Sequence, residues 1–193
     1  VSPGANARLS PDDVTSTSAV AHAAVVLVQL EIPVATVEAA ANVATGRVIL
    51  NPAPAPVAAL PAALLDAVDV VVPNEHELGL LVGAPVAPDA DLVDIASVAS
   101  GLPVELVVVT LGGRGALVVG DNGAEHVPAP AIEPVDTTAA GDSFCAALAA
   151  GLASRTDTLD AVAWAVRVGA ATTLVAGAQP SLPTATEVDD RLA

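Results

Sequence analysis

Short runs of aliphatic and β-branched residues alternate along the chain with longer stretches rich in alanine. The apolar runs are continuous, which is typical of strands that are buried on both faces of a sheet. They predict strands over 24–30, 47–50, 70–72, 104–110 and 116–119, with weaker strands near His126 and Ile132. The other stretches predict helices over 33–45, 60–67, 75–82 and 89–100, and a helical region from Ala140 with breaks near Arg155, Gly177 and Pro183.

Strands that are separated by helices predict an α/β fold of three layers, α-β-α, with a mostly parallel sheet. The chain contains no internal repeat, linker or low-complexity tail, so we expect one domain over 1–193. Ligands of such sheets bind beyond the carboxyl ends of the strands. The polar or glycine-rich segments fall there: Asn51, Asn74 with Glu77, 110–115 and 136–143.

Composition excludes several classes of function. The chain has one Phe, one Trp and no Tyr, so it lacks the aromatic surface on which nucleic-acid bases stack. Its net charge of −16 would repel a phosphate backbone. All six basic residues are Arg, which excludes a Walker-type phosphate loop and a Schiff-base lysine. A bound phosphate must therefore be held by main-chain N–H groups, by Arg or by a metal ion.

The compartment and the chain start are also predicted from composition. The single cysteine, Cys145, excludes a disulfide framework, and no signal peptide is recognised, so we expect a cytoplasmic protein. The apolar stretch 161–178 contains Arg167, which would cost roughly 2.5 kcal/mol in a bilayer, so a buried helix and no membrane contact are expected. The chain lacks Met and begins at Val1; we expect either a truncated N-terminus or a non-standard start codon.

The segment 136–144 (DTTAAGDSF) carries the strongest chemical signal. It follows a predicted strand and opens a long helix, so small residues leave the amides of Ala139, Ala140 and Gly141 accessible at the positive end of the helix dipole. Such amides can bind a phosphoryl group, and Asp142 beside them can accept a proton from a hydroxyl. The alternative is structural: a helix cap at Thr137 or Thr138, with Asp142 complementing the dipole.

Two further segments each allow two interpretations. Asn74 could position a phosphate and Glu77 could hold a hydrated Mg²⁺, or the two could form a capping box. The segment 110–115 (TLGGRG) could approach a nucleotide or could be a tight turn between strands. On spacing alone, the structural alternative is favoured for both. The three histidines have no metal-binding spacing, and we expect surface or capping roles for His22, His76 and His126.

Taken together and in this order, these segments resemble the ribokinase (PfkB) family of sugar kinases. DTTAAGDSF at 136–144 resembles the C-terminal signature of that family. Further similar segments are PGANA at 3–7, QLE at 29–31, NPAPA at 51–55, PNEHE at 73–77, TLGGRG at 110–115 and GAQPS at 177–181.

The resemblance implies specific roles. Asp142 would be the catalytic base and bind the accepting hydroxyl, with Ala139, Ala140 and Gly141 as the anion hole. The nucleotide site would contain Asn74, Thr110, Gly112 and Gly115, Glu77 would organise Mg²⁺, and Glu31 would contact the sugar. A K⁺ site would include Asp136, Thr138, Thr172, Val175, Gly177 and Ser181.

The resemblance also implies a Rossmann-like, ribokinase-like fold and transfer of phosphate from ATP to the 5-hydroxyl of D-ribose. Family members begin with a further segment that supplies strands, sugar-binding motifs, a β-lid and often a dimer contact, and we expect it to be absent here. Two alternatives stay open: another sugar or nucleoside kinase, such as a fructokinase, or an inactive nucleotide-binding fragment. A dinucleotide-binding oxidoreductase is disfavoured, because no G-x-G-x-x-G follows the first strand.

Overall fold

The computed structural model describes residues 4–56 and 58–193, so Val1 and Pro3 lie outside the described residues. Within these, the strands are β1 Val25–Gln29, β2 Arg47–Asn51, β3 Val70–Val71, β4 Leu106–Thr110, β5 Ala116–Gly120 and β6 Gly123–Val127. The helices are α1 Pro11–Thr15, α2 Ser18–His22, α3 Val34–Val43, α4 Ala62–Asp66, α5 Glu75–Val82, α6 Leu92–Ala99, α7 Ala140–Ala153, α8 Thr158–Thr172 and α9 Ala185–Leu192.

The strands form a sheet in the order β1-β2-β3-β4-β5-β6. The pairs β1–β2, β2–β3 and β3–β4 are parallel, with Val25 opposite Arg47, Ile49 opposite Val70 and Val71 opposite Val107. The middle residues of β2 and β4 are buried, as the continuous apolar runs require. The predicted α/β class with a mostly parallel sheet is confirmed.

The described chain forms two compact units. Unit 1 contains residues 1–109 and 119–124, and unit 2 contains 110–118 and 125–193. The core of unit 1 brings together Val37 of α3, Leu50 of β2 and Leu64 of α4, each with no exposed surface. The single domain expected over 1–193 stays a prediction.

In unit 2, α7 packs against α8 through small side chains. A Cβ atom added at Gly151 of α7 would lie 2.8 Å from the Cβ of Ala161 of α8, too close for any other residue. Around this contact Leu148, Val162 and Ala165 are fully buried. Alanine and glycine thus allow α7 and α8 to approach closely.

The structure departs from the predicted elements in three places. No strand forms near Ile132, because prolines at 128, 130 and 134 remove main-chain donors from that segment. Helix α6 begins at Leu92 and not at 89, since Asp91 with extended backbone is its N-cap. The short helices α1 and α2 were not predicted. Within the described residues, every helix is too short or too polar to cross a bilayer.

Candidate functional site

The entrance of α7 has an unusual backbone. Ala139, the N-cap, adopts the left-handed conformation with φ 62° and ψ 7°, and its side chain makes no cap hydrogen bond. This region is costly for any residue with a Cβ atom, and within the described residues only Ala139 and Arg155 adopt a positive φ without being glycine. The conformation turns the chain so that residues 137–142, which we call the phosphate turn, present main-chain N–H groups at the first turn of the helix.

The phosphate turn is open on its outer side. A Cβ atom added at Gly141 would meet no heavy atom within 4 Å. Ala140 donates to the carbonyl of Thr137 at 3.2 Å, whereas Ala139 and Gly141 donate to no other described residue. Asp142 is exposed in the same helical turn. The free N–H groups and the positive end of this 14-residue helix suit the binding of an anion. The adjacent carboxylate of Asp142 could accept a proton next to that anion.

Asp136 anchors the phosphate turn. Its Oδ1 accepts the N–H of Thr138 at 2.9 Å and its Oδ2 accepts the N–H of Gly177 at 2.8 Å. The hydrogen bond from Gly177, followed by those from the side chain and main chain of Thr138, lowers the pKa of Asp136 from 3.8 to about 2. Asp136 therefore stays ionised at neutral pH.

The residues expected around K⁺ are only partly connected by hydrogen bonds. Asp136, Thr138 and Gly177 form the anchor just described, and Thr172 is joined to Val175 by a long bond of 3.4 Å between main-chain N and O. The Ser181 hydroxyl donates to the carbonyl of Ala178 at 2.7 Å. An ionised carboxylate among carbonyl and hydroxyl oxygens suits a hard cation. Within the described residues, no group of three His, Cys, Asp or Glu side chains is arranged for a metal ion.

The glycine-rich segment 110–115 is a tight turn. Gly115 donates to Gly112 at 3.0 Å and its carbonyl accepts the N–H of Leu111 at 2.8 Å. Gly115 has φ 98°, and a Cβ there would collide with the carbonyl of Val127, so glycine is required for the turn itself. Gly112, with φ 55°, has open space where a Cβ would lie. The structural alternative therefore explains Gly115 fully, and Gly112 remains accessible; their nucleotide-binding roles and that of Thr110 stay predictions.

Asn74 and Glu77 form a capping box at the start of α5 in unit 1. The Asn74 Oδ1 accepts the N–H of Glu77 at 2.8 Å, and the Glu77 Oε2 accepts the N–H of Asn74 at 2.9 Å. Glu77 is 9% exposed. The capping alternative is thus present in the structure. It uses one carboxylate oxygen, and a hydrated Mg²⁺ needs only one or two carboxylates, so the metal role stays a prediction.

Polar side chains at the carboxyl ends of β1 and β2 form a chain of hydrogen bonds in unit 1. Gln29 donates to the Asn51 side-chain oxygen at 3.0 Å, and the Asn51 amide donates to the carbonyl of Val72 at 2.8 Å. Glu31 is exposed in the turn after β1. The sequence predicts Asn51 at this edge but gives no role to Gln29, although Gln29 ends an apolar strand and begins the QLE segment at 29–31.

His126 and His22 take the capping-type roles that were expected. The His126 Nε2 lies 2.7 Å from the carbonyl of Arg114, and the His22 Nδ1 lies 2.8 Å from the carbonyl of Ser18. Each ring nitrogen therefore donates to a main-chain oxygen at the end of a turn or helix.

Comparisons with known proteins identify the family to which the chain is similar. Residues 1–185 match the family described as pfkB family carbohydrate kinase. A ribokinase of Staphylococcus aureus is 36% identical over 191 residues, which cover 96% of this chain and 62% of the relative. A ribokinase of Haemophilus influenzae is 35% identical over 188 residues, which cover 95% of this chain and 61% of the relative.

A solved structure is similar to nearly the whole chain. The structure of Arabidopsis thaliana ribokinase complexed with ribose and ATP matches with a TM-score of 0.85 and 30% identity, covering 99% of this chain and 63% of that one. The chain belongs to the pfkB family of carbohydrate kinases. It spans 61–62% of the length of the two curated relatives that it resembles.

Proposed function

We propose that this chain forms the ATP- and phosphate-binding part of a kinase that transfers a phosphoryl group from ATP to the 5-hydroxyl of D-ribose. The family match supports a carbohydrate acceptor. The two ribokinase relatives, and a matching ribokinase that binds ribose and ATP, support the particular substrates.

The observation that carries the proposal is the open phosphate turn. Its free main-chain donors, at Ala139 and Gly141, can stabilise charge on a transferring phosphoryl group without any lysine. Asp142 accepts the proton of the attacking hydroxyl. Because the transition state of phosphoryl transfer is loose, positioning and charge stabilisation are the main tasks of the protein.

Two cations belong to the proposal. Glu77 would hold Mg²⁺ through water, with Asn74 positioning a phosphate, and Mg²⁺ would supply charge neutralisation on the phosphates. K⁺ would lie near Asp136, whose ionised carboxylate and neighbouring carbonyls offer oxygen ligands. Thr110, Gly112 and Gly115 would border the nucleotide, and Glu31 would contact the sugar.

Two measurements test the proposal. Calorimetry with ATP on this chain measures binding, and release of ADP in the presence of ribose, fructose or adenosine measures transfer and its acceptor. We expect ATP binding, and release that depends on ribose in a protein containing this chain. Release that depends on fructose or adenosine would replace ribose with another acceptor, and no ATP binding would refute the proposal.

A second candidate function follows from the coverage of the relatives. The chain spans 61–62% of their length, so a nucleotide-binding role without transfer is the alternative for the chain by itself. ATP binding by this chain with no ADP release on any acceptor would favour it.

The proposal extends to the compartment and the assembly. The only cysteine, Cys145, is buried and forms no disulfide, which suits a reducing cytoplasm. For a longer protein containing this chain we propose a homodimer, which sedimentation at several concentrations would test.

A further inference from the structure

The carboxyl end of α8 holds both ends of the phosphate turn. At one end, the N–H groups of Val135 and Asp136 donate to the carbonyl of Thr173, at 2.8 and 3.0 Å. At the other end, the hydroxyl of Thr172 lies 2.8 Å from the hydroxyl oxygen of Ser143, in the first turn of α7. Thr172, the last residue of α8, and Thr173, its C-cap, therefore define where the turn begins and where it passes into the helix.

The contact between Ser143 and Thr172 is buried and directional. Ser143 is 5% exposed and Thr172 is 0% exposed. The Ser143 hydroxyl donates to the carbonyl of Ala140 at 2.9 Å, so its oxygen is the acceptor for Thr172. The single Thr172 proton is shared between Ser143 and the carbonyl of Val168, at 2.9 Å. The only proton of the Thr172 hydroxyl is thus used in hydrogen bonds inside the protein.

We infer that Thr172 and Ser143 are positioning residues for the phosphate turn. The hydroxyl chain ends on Ala140, a residue of the turn itself, so it fixes the direction of the N–H groups beside it and the location of Asp142. Donors that stabilise a transition state must be correctly placed before the reaction, because small displacements have large effects on rate. The inference rests on the proposed function and adds residues that the sequence did not assign to this task.

A second contact supports the same interpretation. A Cβ atom added at Gly169 of α8 would lie 3.4 Å from the carbonyl of Ala140 and 3.6 Å from the Cβ of Phe144. Helix α8 therefore approaches the first turn of α7 at two successive turns of its own. A residue that merely packs here would affect stability, whereas a positioning residue would affect the rate, and the experiment must separate these effects.

The test compares two buried threonines. Thr172→Val removes the hydroxyl and keeps the shape and the main-chain carbonyl. Thr36→Val is the control, because Thr36 of unit 1 is also 0% exposed and donates to the carbonyl of Leu9 at 2.8 Å. Both variants should lose a similar amount in Tm. Only Thr172→Val should lower kcat, by about tenfold or more, with the KM for ribose within about twofold of wild type.

Two further variants make the outcome decisive. Thr172→Ser restores the hydroxyl and should recover most of kcat. Ser143→Ala combined with Thr172→Val should lower kcat no further than Ser143→Ala alone, because Ser143→Ala already removes the contact with Thr172. Equal kcat for Thr172→Val and Thr36→Val, or no recovery with Thr172→Ser, would overturn the inference.

A readout without turnover separates this inference from the proposed function. The amide NMR signals of Ala139 and Gly141 report their surroundings directly, and we expect them to shift when ATP is added to this chain. In Thr172→Val, the change that ATP causes in these amide signals should differ from the change in wild type. In Thr36→Val, the change should be the same as in wild type. A wild type that binds ATP but never releases ADP would refute the transfer reaction only; unchanged amide shifts in Thr172→Val would refute the positioning role.

Discussion

Two carboxylates border the phosphate turn, and their surroundings differ. Both oxygens of Asp136 accept main-chain N–H groups, from Thr138 and Gly177, whereas Asp142 is exposed in the first turn of α7. A carboxylate whose oxygens are both engaged is suited to holding the turn. The anchoring task is therefore proposed for Asp136, and the chemical task for Asp142 because it lies beside Ala139 and Gly141 at the start of α7.

Asp142→Ala should remove most of the phosphoryl transfer. General-base catalysis contributes roughly 10² to 10⁴ in rate, so we expect kcat to fall by at least about 10². ATP affinity should fall little or rise slightly, because the lost side chain is negatively charged. Ribose-dependent ADP release by a protein containing this chain gives kcat, and calorimetry gives the affinity. Activity within a few-fold of wild type would contradict the assignment.

Asp136 should make the stability of the protein sensitive to acid. Its pKa in the folded state, about 2, lies below the ordinary value of 3.8, so its ionised form stabilises the fold above pH 3.8. This contribution is lost as the pH falls from 3.8 towards 2. Asp136→Asn should therefore be less stable than wild type at neutral pH, and the difference should shrink in that acid range. Urea unfolding followed from neutral to acid pH measures it.

The control for this acid effect is Asp121→Asn, which removes one negative charge in the exposed turn between β5 and β6. This variant controls for the loss of one charge, so only the change with pH that exceeds its own is assigned to Asp136. Asp13 and Glu187 also have a lowered pKa, through hydrogen bonds from Ser10 and Thr184, and they remain in both variants. A gap between wild type and Asp136→Asn that does not change with pH would contradict the role of Asp136.

At the scale of the element, helix α5 begins with a capping box that also contains two proposed ligand residues. The cap predicts that Asn74→Ala lowers the free energy of unfolding by about 1 kcal/mol. Asn74→Ser restores a capping oxygen, so stability should recover. If Asn74 also positions a phosphate, ADP release should stay low in both variants. Urea unfolding and kinase assays on the same samples separate the two roles.

Thr184 provides the matched control for that comparison. It forms a capping box with Glu187 at the start of α9, where its hydroxyl lies 2.7 Å from the Glu187 Oε2. Thr184→Ala should cost a similar free energy of unfolding and leave ADP release unchanged. Full activity in Asn74→Ser would show that only the cap matters at α5.

The sequence predicts those elements whose ends carry their own local signals. Helix α5 forms over 75–82 as expected, because Asn74 caps its start and Gly83, in the left-handed conformation, ends it. Near Ile132 the apolar residues suggest a strand, but the surrounding prolines prevent pairing. Apolar residues alone therefore do not predict a strand where prolines remove the main-chain donors that strand pairing needs.

The candidate site also contains features that local sequence patterns reveal and features that they do not. The anion-binding character of the phosphate turn depends on small residues at a helix start, which a local pattern reveals. The contact between Ser143 and Thr172 joins residues 29 positions apart, and neither hydroxyl is distinctive in sequence. Such contacts depend on how α7 and α8 pack, so they could not be predicted from spacing.

At the scale of the whole molecule, the net charge and the edge of the sheet have opposite effects on the association of identical chains. A charge of −16 disfavours association of identical chains, and salt weakens that repulsion. Strand β1 ends the strand order, and within the described residues it pairs with β2 alone. Its apolar residue Leu27 is 37% exposed. An apolar edge strand of this kind favours pairing with another chain.

We therefore expect this chain to associate with itself more strongly at about 1 M salt than at low salt, where its charge is less screened. Leu27→Glu places a charge on the edge of β1 and should reduce that association, measured by light scattering or sedimentation. Val93→Glu is the control, since it adds the same charge to an apolar residue of α6 that is 78% exposed and not on a strand. Because both variants change the net charge equally, a larger effect of Leu27→Glu can arise only from its location on β1. Equal effects of the two substitutions, or a wild type that stays monomeric at high salt, would contradict association through this edge.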